Sequence, residues 1–482
     1  MIFIGLDIGS TAVKAMALDG KGAVVARGKC AYPTNFADPY VTQRAEDWWQ
    51  SAVVAVRQIT DALDPTERVV AISTSSQGGS MLALDSNYAP LTDAMTWMDR
   101  RGEKQSEQVI AHFGNDVVYR KCGWRSTPID CASKLLWIRE NAPDVFRRAA
   151  HYMTTEEYVN YRLCGENVTD PTGAAIMRLY NINDNCWDAQ MLDYVGVDES
   201  KLPRVVPIGT LIGKLTPSAA AELGLDTTVS VYCGAHDQYC ASIGSGITRP
   251  GDILLATGTA WVMFGVTDKL CFNSCYIAPG IHAVPGVFGA MATLSGVGAA
   301  VANHAEAMGV HLKDVDAMAE TRRQSAADLL CCPCPPGRSF LEHRPGTLGG
   351  ISGKTAAHDG YDQALALMEG AAFEVKLSLE KFNEAGMMSS TALTMSGGAA
   401  ASRLWRGIVQ QVTGRDILLT TEKDTPALGA GMIAATYGGA YESLAKCSED
   451  FVRRLPAESL QDAGAAEFYA RKLEQYRQWC IA

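Results

Sequence analysis

The sequence predicts an α/β protein built from two large domains, and three observations carry that prediction. An apolar run, Ile4-Gly5-Leu6-Asp7-Ile8, ends in one acid and a Gly9-Ser10-Thr11 turn before apolar residues resume at Val13 to Leu18, the pattern of strand, tight turn and strand. A second copy of the pattern, Ile253-Leu254-Leu255-Ala256-Thr257-Gly258-Thr259-Ala260-Trp261-Val262-Met263-Phe264-Gly265, stands about half a chain later. The chain has 482 residues, more than one ordinary core organises.

The first hairpin suits a phosphate tail. Gly9 lets backbone approach an anion, Ser10 and Thr11 add hydroxyl and N–H donors, Lys14 adds charge, and Asp7 can hold Mg²⁺. An ordinary edge hairpin looks the same locally, and it is the second copy that favours the phosphate reading. Ala256 stands near the place of Asp7, so only the first copy brings a metal carboxylate. Two such turns, at 9 to 11 and 257 to 259, would grip one triphosphate from both sides.

Composition excludes several classes. A hydrophobic fraction of 47% with 20% charged residues is that of a globular protein, and no apolar run reaches the length of a membrane span. The N-terminus lacks the basic flank and apolar core of a signal peptide, so the expected location is cytoplasmic. A net charge of -11 argues against nucleic acid as a partner. The cysteines, Cys30, Cys122, Cys164, Cys240 and Cys480 among them, lack a disulfide-rich spacing and read as reduced thiols. Cys331-Cys332-Pro333-Cys334 leaves a metal or redox site open, although no second Cys pair lies near it.

Along the first half, Glu46 to Leu63 reads as a helix with Trp49, Val53, Val56 and Ile59 on its core face. Val69 to Ser73 is a buried strand that empties into Thr74-Ser75-Ser76-Gln77-Gly78-Gly79-Ser80. Ligands in α/β folds collect where strands run out, so Gln77 and its neighbours are candidates for a polyhydroxyl substrate, with a plain turn as the alternative. Trp97-Met98-Asp99-Arg100-Arg101 offers a ring, a carboxylate and guanidinium groups, as exposed salt-bridged loops also do. Ser133 to Glu140 and Thr155 to Leu163 read as helices. The strand Val229 to Cys233 ends at Gly234-Ala235-His236-Asp237-Gln238, which places Asp237 as a general base at a cleft, with His236 a weaker candidate and an N-cap aspartate the ordinary alternative. Thr248-Arg249-Pro250-Gly251-Asp252 breaks the pattern and divides the chain into 1–247 and 248–482.

The second half opens with the repeated hairpin, passes a Pro/Cys-rich loop near 331 to 347 and enters a helix from Tyr361 to Phe382. A short strand, Leu393 to Ser396, then meets Gly397-Gly398-Ala399-Ala400-Ala401-Ser402, where Ser402 caps a helix. Strand, Gly-Gly turn and helix start make a seat for a nucleotide's ribose or base. Two motifs are set aside: Gly353-Lys354-Thr355 has Leu348 where a P-loop needs glycine, and Gly429-Ala430-Gly431 lies inside a helix.

Taken in order, these segments resemble the FGGY family of carbohydrate kinases, within the actin and hexokinase superfamily, over nearly the whole chain from Leu6 to about Tyr437. The segments that carry the resemblance include Leu6 to Asp19, Trp97 to Arg100, Lys134 to Glu140, Tyr158 to Asp170, Gly234 to Gln238, Thr257 to Thr259, Ser396 to Trp405 and Ala427 to Ala430. The resemblance implies two ribonuclease-H-like domains with an interdomain cleft, sugar and base in the first domain and ATP in the second. It implies that Asp7 positions Mg²⁺, that Ser10, Thr11, Lys14 and Thr257-Gly258-Thr259 contact ATP phosphates, and that Gly397, Gly398, Ala399 and Ser402 seat adenosine. Asp237 falls on the family's catalytic aspartate, with Gln77, Gly78, Asp99 and Asp237 on the substrate.

Within the family the chain looks most like xylulokinases, implying phosphorylation of a pentulose; a homodimer is a family-level expectation. Xylulokinases usually carry Gln-Met-His where this chain has Gln77-Gly78-Gly79, which removes bulk and a ring hydrogen-bonding group from the sugar pocket and puts D-xylulose in doubt. Another ketose, a sugar acid such as gluconate, or a polyol of the erythritol or glycerol type is the alternative acceptor. A nucleotide-binding module that senses sugar without turnover is the alternative from another class.

Overall fold

A computed structural model describes residues 1–258, 261–273, 277–294, 297–309, 311–333, 350–386, 390–458 and 463–480. The chain forms two compact units. The first comprises Met1–Thr248, Ala278–Phe288 and Asp424–Val452, and the second Arg249–Ile277, Gly289–Lys423 and Arg453–Ala482.

The first unit is built on a six-stranded sheet with the spatial order Leu211–Lys214, Ser230–His236, Val69–Ser76, Ile2–Ile8, Ala12–Asp19, Val24–Ala31. Ile2–Ile8 is buried at every position, as a strand covered on both faces must be. It pairs antiparallel with Ala12–Asp19 across the Gly9 turn and parallel with Val69–Ser76, which pairs parallel with Ser230–His236. The helix Ala45–Thr60 buries Trp48, Trp49, Ala52, Val56 and Ile59. Its inner face is therefore turned from the expected one, because Trp48 and Ala52 are fully buried while Val53 is only half-buried.

The second unit repeats the scheme. Within it the strand order is Phe288–Leu294, Trp261–Thr267, Ile253–Thr257, Ala392–Gly397, Asp416–Thr420, Arg454–Pro456. Ile253–Thr257 pairs antiparallel with Trp261–Thr267 and parallel with Ala392–Gly397, which pairs parallel with Asp416–Thr420. A hairpin followed by two parallel strands thus occurs in both units, the duplicated ribonuclease-H-like arrangement. The helix Gly360–Glu384 fills this unit's core with Leu365, Met368, Phe373, Leu379 and Phe382.

Two segments from beyond the 247/248 division, Ala278–Phe288 and Asp424–Val452, pack into the first unit. The helix Thr425–Tyr437 is buried on almost every side and lies backbone to backbone on the first strand. A Cβ at Gly5 would fall inside the Ala427 carbonyl and on the Gly431 amide, and a Cβ at Gly429 on the Cys240 carbonyl. Glycines and alanines allow that approach, and the apolar surface it removes from water holds the returning segment in place.

Candidate active site

Three neighbouring parallel strands of the first unit run out on the same side of the sheet. The register sets Asp7 beside Ser75, Ile8 beside Ser76, and Ser76 beside His236. Asp7, Gln77 and Asp237 therefore emerge side by side at strand carboxyl ends, where α/β sheets bind ligands.

Asp7 is 5% exposed, and Ser75 Oγ donates to its Oδ1 at 2.9 Å. Burial, followed by repulsion from Asp237, pushes its carboxyl up to about 7. Asp237, whose side chain keeps 24% exposure, is pushed up to about 6 by burial against hydrogen bonds from Gln238. The less exposed acid is the more perturbed, as desolvation requires. Two carboxyls that resist ionising next to each other make a fitting seat for a hard divalent cation, which would relieve both burial and repulsion.

The turn between the first two strands is fixed from outside. Tyr32 donates its hydroxyl to the Gly9 carbonyl. Gln43 Nε2 donates to the Ser10 carbonyl at 2.8 Å, and Trp97 Nε1 to Ser10 Oγ at 2.9 Å. Thr11 is exposed at the tip. Lys14 Nζ lies 2.6 Å from Asp424 Oδ1, an ion pair whose members are 34% and 35% exposed, so its charge is already matched within the unit. Gln77 is buried; its Nε2 donates to Gln43 Oε1 at 2.9 Å, while its Oε1 lacks a hydrogen-bond partner among the described residues.

Asp237 opens the helix Asp237–Gly244 at the end of its strand. The turn before it is held from beneath: the His236 N–H donates to Thr172 Oγ1 at 3.0 Å, and Thr172 Oγ1 donates to Asp170 Oδ1 at 2.6 Å. Asp170 also accepts from Thr172 N and Gly173 N, capping the helix Pro171–Ile176. The adjacent Glu156 is pushed well above the usual carboxylate range by burial and by Asp170. The sequence marks Asp170 only as the end of the segment Tyr158 to Asp170, and the support that it and Thr172 give the turn was not read from it.

The Gln77-Gly78-Gly79 loop rests on Lys134, which is fully buried and donates to the Gly79 and Thr96 carbonyls at 2.7 and 2.8 Å. Asp99 has a different place from the one expected. It is fully buried, and its oxygens accept from Val41 N, Arg101 N and both sides of the Arg101 fork at 2.7–3.1 Å. With every acceptor position engaged, Asp99 anchors Arg101 and presents no free oxygen to a sugar.

In the second unit the Thr257 hydroxyl is likewise engaged. It donates to the Ser396 carbonyl at 2.5 Å and accepts from Ala399 N and Ala400 N at 3.1 and 3.3 Å, tying the hairpin to the Gly397-Gly398 turn. Gly258 is exposed beyond it, and Thr259 lies outside the described residues. Ser402 is the expected N-cap, accepting from Trp405 N at 3.0 Å. Gly397, at φ +90°, and Gly398 stand where strand passes to helix, with Ala399 buried behind them.

Duplicated hairpins, an acid at the first turn and a second acid after the last parallel strand form one pattern, and it extends to the family level. Residues 2–244 match the N-terminal domain of the FGGY family of carbohydrate kinases, and residues 255–437 match its C-terminal domain. The chain belongs to the FGGY family of carbohydrate kinases. It is 27% identical to a xylulose kinase of Bacillus subtilis over 98% of this chain and 94% of that protein, and 25% identical to a gluconokinase of the same organism over 92% and 89%. A solved xylulose kinase from Rhodospirillum rubrum shares the fold with a TM-score of 0.90 at 24% identity, covering 99% of this chain and 98% of that one.

The remaining sequence candidate belongs to the second unit. Cys332 Sγ, a Glu374 oxygen and Cys480 Sγ sit within 4.8 Å of one another, all buried, in the second unit. Glu374 accepts from the Tyr476 hydroxyl, and the Cys480 thiol, hydrogen-bonded with Cys332, is held protonated. Burial pushes Cys331 up to about 12. These groups satisfy one another in the core; Cys334 lies outside the described residues. No helix among the described residues is long and apolar enough to cross a membrane.

Proposed function

We propose that this FGGY kinase transfers the γ-phosphoryl group of ATP to a hydroxyl of a small pentulose of the xylulose type, with Asp237 as general base. The observation that carries the reading is Asp237 Oδ1, an oxygen shielded from water and without a hydrogen-bond partner at the end of its strand. An acceptor hydroxyl supplies the missing donor: its proton passes to Oδ1 as its oxygen attacks the γ-phosphorus, and ADP leaves. The transition state is loose, so the protein's contribution is alignment and charge neutralisation.

Asp7 would hold Mg²⁺, which supplies charge neutralisation on the phosphates. Gln77 Oε1, a second orphaned acceptor, offers a place for another sugar hydroxyl. Gly397, Gly398 and the 257–259 turn serve the nucleotide. Ser10 and Thr11 offer the first turn's donors to the phosphates, and Lys14 joins them by exchanging Asp424 for an anion. The cytoplasm supplies ATP and keeps the thiols reduced, and is the location assigned.

The test is ADP release with D-xylulose, gluconate, glycerol and erythritol. Release that depends on D-xylulose supports the reading. ATP binding without release on any acceptor overturns it in favour of a sensing module. Release on gluconate alone selects the second reading, a sugar acid, which the gluconokinase relative favours.

A further inference from the structure

His236 fills ground that the facing loop leaves empty. A Cβ at Gly78 would lie 2.6 Å from His236 Cδ2, 2.9 Å from its Nε2 and 2.5 Å from Ile176 Cδ1. The imidazole therefore stands against the loop backbone, and only glycine at 78 admits it there. The ring is delivered from the strand Ser230–His236, whose last N–H is fixed on Thr172. Burial keeps it neutral, its pKa driven down to about 4.

His236 Nε2 is 3.1 Å from Asp237 Oδ1, yet Oδ1 has no hydrogen-bond partner. Two polar atoms thus stand side by side, about one hydrogen-bond length apart, without satisfying each other. Hydroxyls on adjacent carbons have that spacing.

We propose that His236 is a specificity-determining residue: its Nε2 takes the hydroxyl on the carbon next to the one phosphorylated, so the enzyme selects an acceptor that presents a vicinal diol to the His236–Asp237 edge. This rests on the kinase reading and adds the chemical feature by which the acceptor is chosen. The neutral imidazole can donate to or accept from that neighbouring hydroxyl, while Oδ1 accepts from the attacking one. A site that hydrogen-bonds a substrate hydroxyl penalises an acceptor that lacks it, because that bond is then lost.

The test compares the wild type with His236→Gln, which carries an amide near the Nε2 position, and His236→Phe, which fills the volume without a polar atom. With D-xylulose as acceptor, or gluconate if that is the one turned over, kcat/KM in the Phe variant is expected to fall roughly tenfold or more, mainly through the sugar KM, with the ATP KM unmoved. The Gln variant is expected to recover most of the loss. The wild type is also expected to prefer D-xylulose to its 4-deoxy analogue, and the Phe variant to lose that preference. If the Phe variant does not fold, His236→Ala against His236→Gln makes the same comparison. Equal sugar KM in all variants, or equal loss of sugar and ATP affinity, overturns the proposal while leaving the kinase reading intact. An absence of turnover with every acceptor overturns both.

Discussion

Ser75 Oγ donates to Asp7 Oδ1 at 2.9 Å across a parallel strand pair. That bond, with the Lys14 charge behind it, favours the ionised form of an acid which burial and a neighbouring carboxylate both oppose. Ser75→Ala should leave the fold intact and weaken the Mg²⁺ requirement's affinity several-fold. The check is a Mg²⁺ titration of sugar-dependent ADP release at fixed ATP; an unchanged midpoint would remove Asp7 from the metal site.

Asp237→Asn keeps the shape of the side chain and removes its capacity to take a proton. Turnover should drop by about 10²–10⁴-fold, the range for a lost general base, while ATP still binds. Steady-state rates beside a nucleotide-binding titration decide it, and retention of full turnover would exclude Asp237 as the base.

The same carboxyl sets a pH limit. With Asp237 pushed up to about 6, kcat should fall on the acid side of roughly pH 6, as the base becomes protonated. Stability runs the other way for the raised acids. Asp7 holds a proton in the folded protein up to about pH 7, whereas the unfolded chain loses it near 4, so its stabilising contribution is present at low pH and lost as pH rises through 7. Asp7→Asn should therefore be more stable than the wild type at pH 8 without Mg²⁺, by on the order of 1–3 kcal/mol, and equal to it near pH 4. Denaturant melts at the two pH values test this, and an identical difference at both would contradict it.

Gly5→Ala should be far more damaging than its size suggests. The added methyl would collide with backbone atoms of Ala427 and Gly431, which have no rotamer to yield, so the loss should reach or exceed the roughly 1–3 kcal/mol of ordinary overpacking. Gly414→Ala is the contrast: its φ of +69° strains an alanine, but nothing lies within 4 Å, and about 1 kcal/mol is expected. Thermal melts that show equal losses for the two would refute the close-packing account.

Much of this was legible in the sequence because it was local. An apolar run, a Gly turn and a returning run mark the hairpin at Gly9, and an acid after a strand and a Gly turn marks Asp237. What escaped depends on residues distant in sequence. Asp99 looks like any exposed acid in a salt-bridged loop until the Val41 N–H donates to it, and nothing near Lys14 in sequence marks Asp424 as its ion-pair partner. Tyr32, Gln43 and Ser75 carry no motif at all, and only the strand register shows that they hold the Gly9 turn and Asp7. His236 was legible as a candidate beside Asp237, but its place against Gly78 was not, because the two are far apart in sequence.

The segment Asp424–Val452 also governs how the protein is made. The first strand has its backbone-close partner more than four hundred residues downstream, so a nascent chain that has displayed Met1–Thr248 has not yet received the layer that covers Gly5. The lobe synthesised first is thus completed late, after most of the other has left the ribosome. Until then the face of the central sheet at Gly5 lacks the helix that covers it.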